Sequence, residues 1–257
     1  MTLTLDLSAW PPPLNGVHCM DEEPEFASLY HAIRAKENRI LTDEQVAKLP
    51  DGRGLWNATE WRIRAASADR LVWALNKQGK ELRILEVGCG NGWLANYMKD
   101  RGHVVLGIDP FTSELEQAAR VFSNGPTFAR MDLFNPVLQQ HYFDAVVFAA
   151  SIQYFKDAQA TITRSLELLR PTGSVHVLDT ILYSNSHQAA EAIARSRTYY
   201  ASIGIPEMAT NYNAHTLKEL EAIGRCTILD RPSHLSRLKE RMLGNSVSPF
   251  THLVISK

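Results

Sequence analysis

The chain has 257 residues, of which 45% are hydrophobic and 21% charged, so it is expected to form one large domain, or one domain with an appendage, and not a disordered or collagen-like chain. Its formal net charge of −1 provides no positive field that would hold a polyanion, so nucleic acid is not an expected partner. The three cysteines lack a C-x-x-C spacing, and no apolar run reaches the roughly 18 residues of a membrane helix, which predicts no metal site, no membrane partner and a cytoplasmic location.

Residues 1–79 are predicted to form an N-terminal flank and a helical cap. Residues 2–8 (TLTLDLS) alternate in polarity like a short strand, and the three prolines that follow stop any regular element. Apolar residues recur at helical spacing over 22–39 and over 59–77, and a short helix is expected over 43–49.

Residues 80–257 show a regular alternation of apolar strands and amphipathic helices. Strands joined through helices by short links run parallel, so the pattern predicts an α/β domain whose sheet is covered on both faces. The near-continuous apolar character of the strands agrees with burial on both faces. Strands are predicted over 83–88, 103–109, 126–132, 143–151, 174–182, 226–232 and 250–257, with helices over 91–101, 113–122, 157–170 and 214–223.

Two segments interrupt this alternation. Residues 183–213 are polar and rich in tyrosine, and they contain a predicted helix over 188–200. Residues 233–249 are predicted to be helical and then a loop. The first of these segments is an insertion into the strand–helix repeat.

The turn after the first buried strand is rich in glycine and reads EVGCGNG over residues 86–92. Three glycines let a ligand lie against the backbone, and the helix that begins there offers free N–H groups. The next strand ends at Asp109, whose carboxylate can accept two hydrogen bonds from a ribose diol. Ligands of open parallel sheets bind at this carboxyl edge, so a nucleoside-containing ligand is predicted.

A dinucleotide such as NAD is the less favoured nucleoside ligand. Its motif, G-x-G-x-x-G, needs a small residue at its last position so that helix and strand pack closely. Counted from Gly88, that position is Trp93, and the glycines instead form G-x-G-x-G. No G-K-[ST] follows the turn either, so a P-loop is absent.

The segment ILEVGCGNGWLA (84–95) resembles the first motif of the class I S-adenosylmethionine-dependent methyltransferases. The resemblance extends over about 80–180, and more loosely over 214–257. It implies a Rossmann-like, doubly wound sheet of seven strands, mostly parallel with an antiparallel last strand, and S-adenosylmethionine as cofactor. The further matching segments are GIDP (107–110), ARMDL (129–133), FDAVVFAASIQYF (143–155) and LLRPTGSVHVLD (168–179).

The resemblance assigns roles at the methionine end of the cofactor. Glu86 would organise the region near the ammonium group, directly or through water. Gly88, Cys89 and Gly90 would present backbone to the same moiety, in a turn completed by Gly92.

For the nucleoside, the resemblance points to the ends of the next two strands. Asp109 would hold the ribose hydroxyls, with Pro110 shaping the adenine pocket. Asp132 would accept a hydrogen bond from the adenine amine, between the apolar walls Met131 and Leu133.

Near the reacting methyl, the resemblance implies backbone carbonyls from Ala149 and Ala150, with Gln153 and Tyr154 facing the methyl. Oxygen or nitrogen acceptors can also require a general base. No motif selects one, and the candidates lie in segments expected to cover the site: Tyr30, His31, His187, Tyr199, Tyr200 and Tyr212.

The expected reaction is direct methyl transfer to a small molecule. No [ND]-P-P-[YF] follows the fourth strand, which argues against methylation of the amino group of adenine, cytosine or glutamine. No Pro-Cys pair occurs, which argues against carbon-5 methylation of pyrimidines. By analogy with the family, residues 22–79 and 183–213 would cap the ligand edge of the sheet. Two alternatives stay open, a cofactor-binding module without turnover and an NAD-dependent oxidoreductase.

Overall fold

The computed structural model describes residues 3–231 and 248–257. Its strands are β1 (Val17–Cys19), β2 (Arg83–Val87), β3 (Val104–Asp109), β4 (Thr127–Arg130), β5 (Phe143–Ala149), β6 (Leu169–Leu178), β7 (Arg225–Asp230) and β8 (His252–Ser256). Its helices are α1 (Ala27–Lys36), α2 (Asp43–Val46), α3 (Ala58–Asn76), α4 (Trp93–Lys99), α5 (Thr112–Val121), α6 (Ala158–Leu168), α7 (Ser186–Ser202) and α8 (Leu217–Glu221), with 3₁₀ turns at Ile152–Tyr154 and Pro206–Asn211.

The strands form one sheet in the order β1-β4-β3-β2-β5-β6-β8-β7. All pairs from β1 to β6 are parallel, whereas β8 runs antiparallel to both β6 and β7. The predicted α/β class, the mostly parallel Rossmann-like sheet and the antiparallel last strand are therefore confirmed. The strand order reverses between β2 and β5, where such sheets bind ligands.

The sheet has eight strands in the described part of the chain, one more than the seven predicted for it. The additional strand, Val17–Cys19, pairs with β4 at the edge of the sheet. It is only three residues long and follows prolines and a glycine, so its sequence shows no strand periodicity. The strand predicted over 2–8 is wrong, since residues 3–9 form no strand. Most of the segment predicted as helix and loop, 233–249, lies outside the described residues.

Helices are shorter than predicted at several ends, because tertiary contacts and not propensity set their limits. Helix α1 covers Ala27–Lys36 within the predicted 22–39, and α8 covers Leu217–Glu221 within 214–223. The strand predicted to begin at residue 174 begins instead at Leu169, directly after α6.

The core lies on both faces of the sheet. Helices α3, α4 and α5 cover one face, where Leu71, Leu94 and Leu115 pack on strand residues such as Ile84. Helices α6 and α8 cover the other face, which includes Leu85, the neighbour of Ile84. This alternation along β2 is the expected result of burial on both faces.

A third apolar cluster joins the N-terminal cap to the inserted segment. Ile33 of α1 packs with Tyr200 of α7 and with Ile205 and Met208 beyond it. The two segments expected to cover the ligand edge thus contact each other. No helix among the described residues is both long enough and apolar enough to span a bilayer.

Two buried histidines make an acid-sensitive pair between β6 and β8. The Nδ1 of His176 lies 3.1 Å from Nε2 of His252, and its Nε2 lies 3.0 Å from the Ser174 hydroxyl. Burial lowers the pKa of His176 to about 3 and the pKa of His252 to about 4.

This pair predicts a loss of stability in acid. Below the ordinary histidine pKa of 6.5, the unfolded chain binds protons that the folded chain refuses, so the free energy of unfolding falls as pH drops from 6.5 towards 4. The slope is expected to approach about 1.4 kcal/mol per pH unit for each histidine. Urea unfolding at several pH values measures it. The double variant His176→Gln/His252→Gln should flatten the curve, whereas His187→Gln, at an exposed position, should not.

Candidate active site at the carboxyl edge of the sheet

The glycine-rich turn between β2 and α4 has the conformation that the sequence predicts. Gly88 and Gly90 have φ values of 74° and 51°, in the left-handed region that favours glycine. A Cβ on Gly88 would lie 2.5 Å from the Cβ of Ser151, so no side chain fits there. The N–H groups of Gly88 and Cys89 donate to the carbonyl of Ile108, which ties the turn to β3.

Asp109 holds this turn from the end of β3. Its Oδ2 accepts a hydrogen bond from the N–H of Gly90 at 2.9 Å, and its Oδ1 accepts one from the N–H of Phe111 at 3.0 Å. Burial, and next the negative charge of Glu114, raise the pKa of Asp109 to about 7. The Asp109 carboxylate is therefore a buried hydrogen-bond acceptor held in place by two backbone N–H groups, and it can serve as a ribose-binding acid.

Glu86 is a buried carboxylate without a full set of partners. Its side chain lies inside β2 and is 2% exposed, and its Oε2 has no hydrogen-bond partner among the described residues. Burial, together with the charge of Asp109, raises the pKa of Glu86 well above its usual range. An unsatisfied buried carboxylate is costly, so a cationic or hydrogen-bonding ligand is the natural complement of this position.

A cavity of about 590 Å³ lies over the ends of β3 and β4. Its floor and walls include the residues that the sequence assigns to the nucleoside: Asp109, Pro110, Met131, Asp132 and Leu133. Met131 and Leu133 are buried, whereas Asp132 is exposed and accepts a hydrogen bond from the N–H of Phe134 at 2.8 Å. The structure thus brings this predicted set together, and the adenine contact of Asp132 stays a prediction.

The N-terminal segment bounds this cavity of about 590 Å³ on its outer side. Asp21 accepts hydrogen bonds from the N–H of Asp132 and from the side-chain amide of Asn135, both at 2.7 Å. Tyr30 of α1 stacks on Phe111 with ring centroids 4.1 Å apart. Sequence reasoning missed Asp21, because nothing in an irregular segment signals which strand end it will reach.

A second cavity, of about 320 Å³, lies over the ends of β2, β5 and β6. It is lined by Glu86, the glycine turn and Ala149 on the sheet side, and by tyrosines of the cap and insertion on the other. The two cavities share five lining residues, which therefore mark their junction: Tyr30, Gly88, Gly90, Ala150 and Tyr154.

Residues predicted near the reacting methyl lie at or beside this junction. Ala150 has φ 56° and borders both cavities, and its carbonyl accepts a hydrogen bond from the side-chain amide of Gln153 at 2.6 Å. Tyr154 faces Tyr30 edge-on at 6.1 Å between ring centroids. Its surroundings, chiefly through desolvation, raise the pKa of Tyr154 to about 12.

The candidate bases divide into two groups. Tyr30, Tyr200 and Tyr212 line the smaller cavity, whereas His31, His187 and Tyr199 do not. Desolvation raises the pKa of each of the three lining tyrosines above its usual value, so none is poised to lose a proton near neutral pH. Tyr199 instead donates a hydrogen bond to Glu37 at 2.6 Å.

Charged groups outside the predicted site residues also line the smaller cavity. Asp179, which follows β6, lines it, as do Arg34, Arg39 and Arg64 of the cap. These residues come from segments far apart in the chain, so no local pattern groups them. Among the described residues, no group of three or more His, Cys, Asp or Glu is placed to hold a metal ion.

Gly92 lies at neither cavity and instead makes room for the core. Its φ is 72°, and a Cβ there would lie 2.6 Å from the ring of Phe128 and 2.8 Å from the Cβ of Ala118. The position of Gly92 does not support the predicted contact with the cofactor, which stays a prediction.

Gly92→Ala is expected to lower the free energy of unfolding by about 2–4 kcal/mol, from left-handed strain plus overpacking. Gly79→Ala is the matched control, since Gly79 has φ 65° but nothing within 4 Å of its Cβ position. Urea unfolding of both variants should show the larger loss at Gly92. Equal losses of stability in the two variants would mean that the Phe128 ring moves aside without a free-energy cost.

Comparison with known proteins agrees with this geometry. The methyltransferase domain family model matches residues 85–177. An uncharacterized methyltransferase of Mycobacterium tuberculosis is 31% identical over 96 residues, covering 37% of this chain and 49% of that protein. A malonyl-[acyl-carrier protein] O-methyltransferase of Acetivibrio thermocellus is 28% identical over 138 residues, covering 52% and 48%. The chain thus spans about half the length of these curated relatives.

Among solved structures, magnesium protoporphyrin IX methyltransferase of Synechocystis with bound S-adenosylmethionine superimposes with a TM-score of 0.55. The sequences are 14% identical, and the match covers 93% of this chain and 100% of the other. This likeness concerns the fold alone. Residues 85–177 thus match the methyltransferase domain family, and the strand order is the Rossmann-like one that the resemblance to the class I S-adenosylmethionine-dependent methyltransferases implies.

Proposed function

We propose that the protein binds S-adenosylmethionine across the two joined cavities and transfers its methyl group to a small molecule. The observation that carries this proposal is the junction itself. An elongated ligand that places a nucleoside over Asp109 and an ammonium near Glu86 must cross between Gly88, Ala150 and Tyr154.

The chain's own residues fit such a ligand. The Glu86 Oε2, which has no hydrogen-bond partner in the described part of the chain, suits an ammonium group, and the glycine turn leaves the space that a Cβ would fill. The ionised form of Asp109 can accept the ribose hydroxyls, and Met131 and Leu133 offer apolar surfaces to a base. When bound, S-adenosylmethionine supplies a methyl group on a sulfonium, which is already an activated leaving group.

The protein's part is alignment and exclusion of water. The cap and the inserted segment meet over the smaller cavity through Tyr200 and Ile33. Tyr30 and Tyr154 narrow the junction between the cavities. An acceptor in the remaining space of the smaller cavity would face this junction, where the methyl group is expected to lie.

Small-molecule acceptors are favoured by the enclosed, partly aromatic cavity. Exclusion of nucleic acid as a partner, and a cytoplasmic location, stay predictions from the sequence. The module without turnover stays the alternative function, and NAD is disfavoured because Trp93 stands where its motif needs a small residue.

Calorimetric titration with S-adenosylmethionine, S-adenosylhomocysteine and NADH tests the binding half of the proposal. The first two should bind and NADH should not. Incubation with methyl-tritiated cofactor and a small-molecule extract of the source organism tests transfer. Cofactor binding without labelled product would favour the module without turnover, and binding of NADH alone would overturn the assignment.

A further inference from the structure

Unpaired polar atoms are concentrated in the smaller cavity. Among the described residues, eight have a buried side-chain nitrogen or oxygen without a hydrogen-bond partner. Five of the eight line this one cavity. These five are Arg34, Asn57, Trp61, Glu86 and Asp179.

Part of this polar lining comes from one face of α3 and its N-cap. Asn57, Glu60, Trp61 and Arg64 stand at helical spacing and all line the cavity. Asp179 lines the same cavity from the end of β6. The acceptor side of the cavity is therefore bounded by a polar helix face and a carboxylate.

The arginines of this lining already have carboxylate partners. Arg34 pairs with Glu114 at 3.2 Å, and Arg64 pairs with Glu60 at 2.8 Å. Arg39 pairs with Glu60 and also with Glu37. Asp179 makes no ion pair with any described residue, although it is only 6% exposed. It is thus a buried acid of this cavity without a direct ion-pair partner among the described residues.

Asp179 stands close to the junction between the cavities. The N–H of Ala150 donates to the carbonyl of Leu178 at 3.0 Å, so the ends of β5 and β6 are neighbours at that point. Asp179 follows Leu178 directly, so its backbone adjoins that of Ala150 just beyond the last paired residues of β5 and β6. Both residues have left-handed backbones, with φ 56° at Ala150 and φ 54° at Asp179, a strain that commonly marks functional positions.

We propose, on the basis of the proposed function, that Asp179 accepts the proton of the methyl acceptor, whose attacking atom is a hydroxyl oxygen or an amine nitrogen. The lone pair of that atom forms the new bond to the methyl carbon while the carbon–sulfur bond breaks. Its electron pair goes to sulfur, which becomes a neutral thioether. The proton of the acceptor passes to the Asp179 carboxylate and then to solvent.

The electrostatics around Asp179 agree with that role. Burial raises its pKa, while the Ser67 hydroxyl and the positive charges of Arg64 and Arg70 act in the opposite direction and Glu60 adds to the rise. A carboxylate whose affinity for protons is increased in this way is a better base than an exposed one.

Binding of matched fragments to the protein saturated with S-adenosylhomocysteine gives a test that does not depend on turnover. The probes are phenol with anisole, and aniline with N,N-dimethylaniline, because each pair shares a ring and differs in the hydrogen-bond donor. Ligand-observed NMR should show the donor bound several-fold more tightly by the wild-type protein. Asp179→Asn should remove the preference and Asp144→Asn should keep it, since buried Asp144 lies at the opposite end of β5 beside Lys80. A preference that survives in Asp179→Asn, or none in the wild type, overturns the proposal.

Turnover provides the second measurement. With the source-organism extract, Asp179→Asn should lower the rate of label transfer at least about 100-fold, with S-adenosylhomocysteine affinity within twofold and partial rescue by Asp179→Glu. The labelled product should carry its methyl on oxygen or nitrogen. A methyl on carbon, or an undiminished rate in Asp179→Asn, overturns this inference alone. Absence of cofactor binding in the wild type would instead overturn the proposed function.

Discussion

Replacement of Asp109 by alanine is expected to weaken S-adenosylmethionine binding at least about 100-fold. The substitution removes the acceptor for the ribose and also the two hydrogen bonds that Asp109 receives from the N–H groups of Gly90 and Phe111. Hydrogen bonds to a charged group each contribute about 1.5–3 kcal/mol, so losing two or more exceeds the 2.7 kcal/mol that corresponds to ~100-fold. Calorimetric titration of the purified variant measures the change.

Asp132→Ala is the matched control, since Asp132 lies in the same cavity but is exposed and bonds locally to Phe134. Its effect should stay below about tenfold, the range of one solvent-exposed hydrogen bond. If Asp109→Ala keeps an affinity within threefold of the wild type, the nucleoside does not lie over β3 and the site assignment fails.

The titration of Asp109 adds a pH dependence to cofactor binding. The pKa of this carboxyl is raised to about 7 by burial and by Glu114, with Arg34 acting against the rise. Only the ionised form accepts both ribose hydroxyls, so affinity is expected to fall as pH drops through 7, by up to about tenfold per unit. Asp109→Asn should bind more weakly and show a flatter profile between pH 6 and 8.

The sequence is informative wherever a functional residue directly follows a regular strand. Asp109 ends β3, Glu86 is the last residue but one of β2, and Gly88 directly follows β2, so the position of each at the carboxyl edge follows from the alternation of strands and helices. The spacing of glycines predicts the turn because left-handed backbone depends on local sequence. These residues lie where expected around the two cavities.

Residues whose roles depend on packing between distant segments could not be predicted. Asp21 reaches the larger cavity from an irregular segment, and Arg34 reaches the smaller one only because α1 packs on the insertion. Asp179 lies inside the strand predicted over 174–182 but directly after β6 in the structure, and it has no ion-pair partner among the described residues because the nearby arginines pair with glutamates. Gly92 belongs to the predicted motif but serves packing against Phe128, which periodicity does not reveal.

Glu86→Gln is expected to change cofactor affinity and protein stability in opposite directions. The amide keeps the shape of the side chain but cannot ionise beside the ammonium of the ligand. A charged hydrogen bond of about 1.5–3 kcal/mol corresponds to a loss of roughly 10–100-fold in affinity, measured by calorimetric titration. Glu81→Gln, at an exposed residue before β2, should leave the affinity unchanged.

In the ligand-free protein the same substitution should be stabilising, because it removes a buried carboxylate with an unpaired Oε2. The pKa of Glu86 in the folded chain lies well above its usual value of 4.5, so the unfolded chain releases a proton that the folded chain retains, and stability falls as pH rises above 4.5. The free energy of unfolding of Glu86→Gln should therefore increase relative to that of the wild type as pH rises from 4.5 to 8, by up to about 1.4 kcal/mol per pH unit. Urea unfolding distinguishes two roles of the Glu86 carboxyl group. If it only supports the fold, Glu86→Gln should lower the free energy of unfolding. If it serves a cationic ligand, Glu86→Gln should raise the free energy of unfolding of the ligand-free protein.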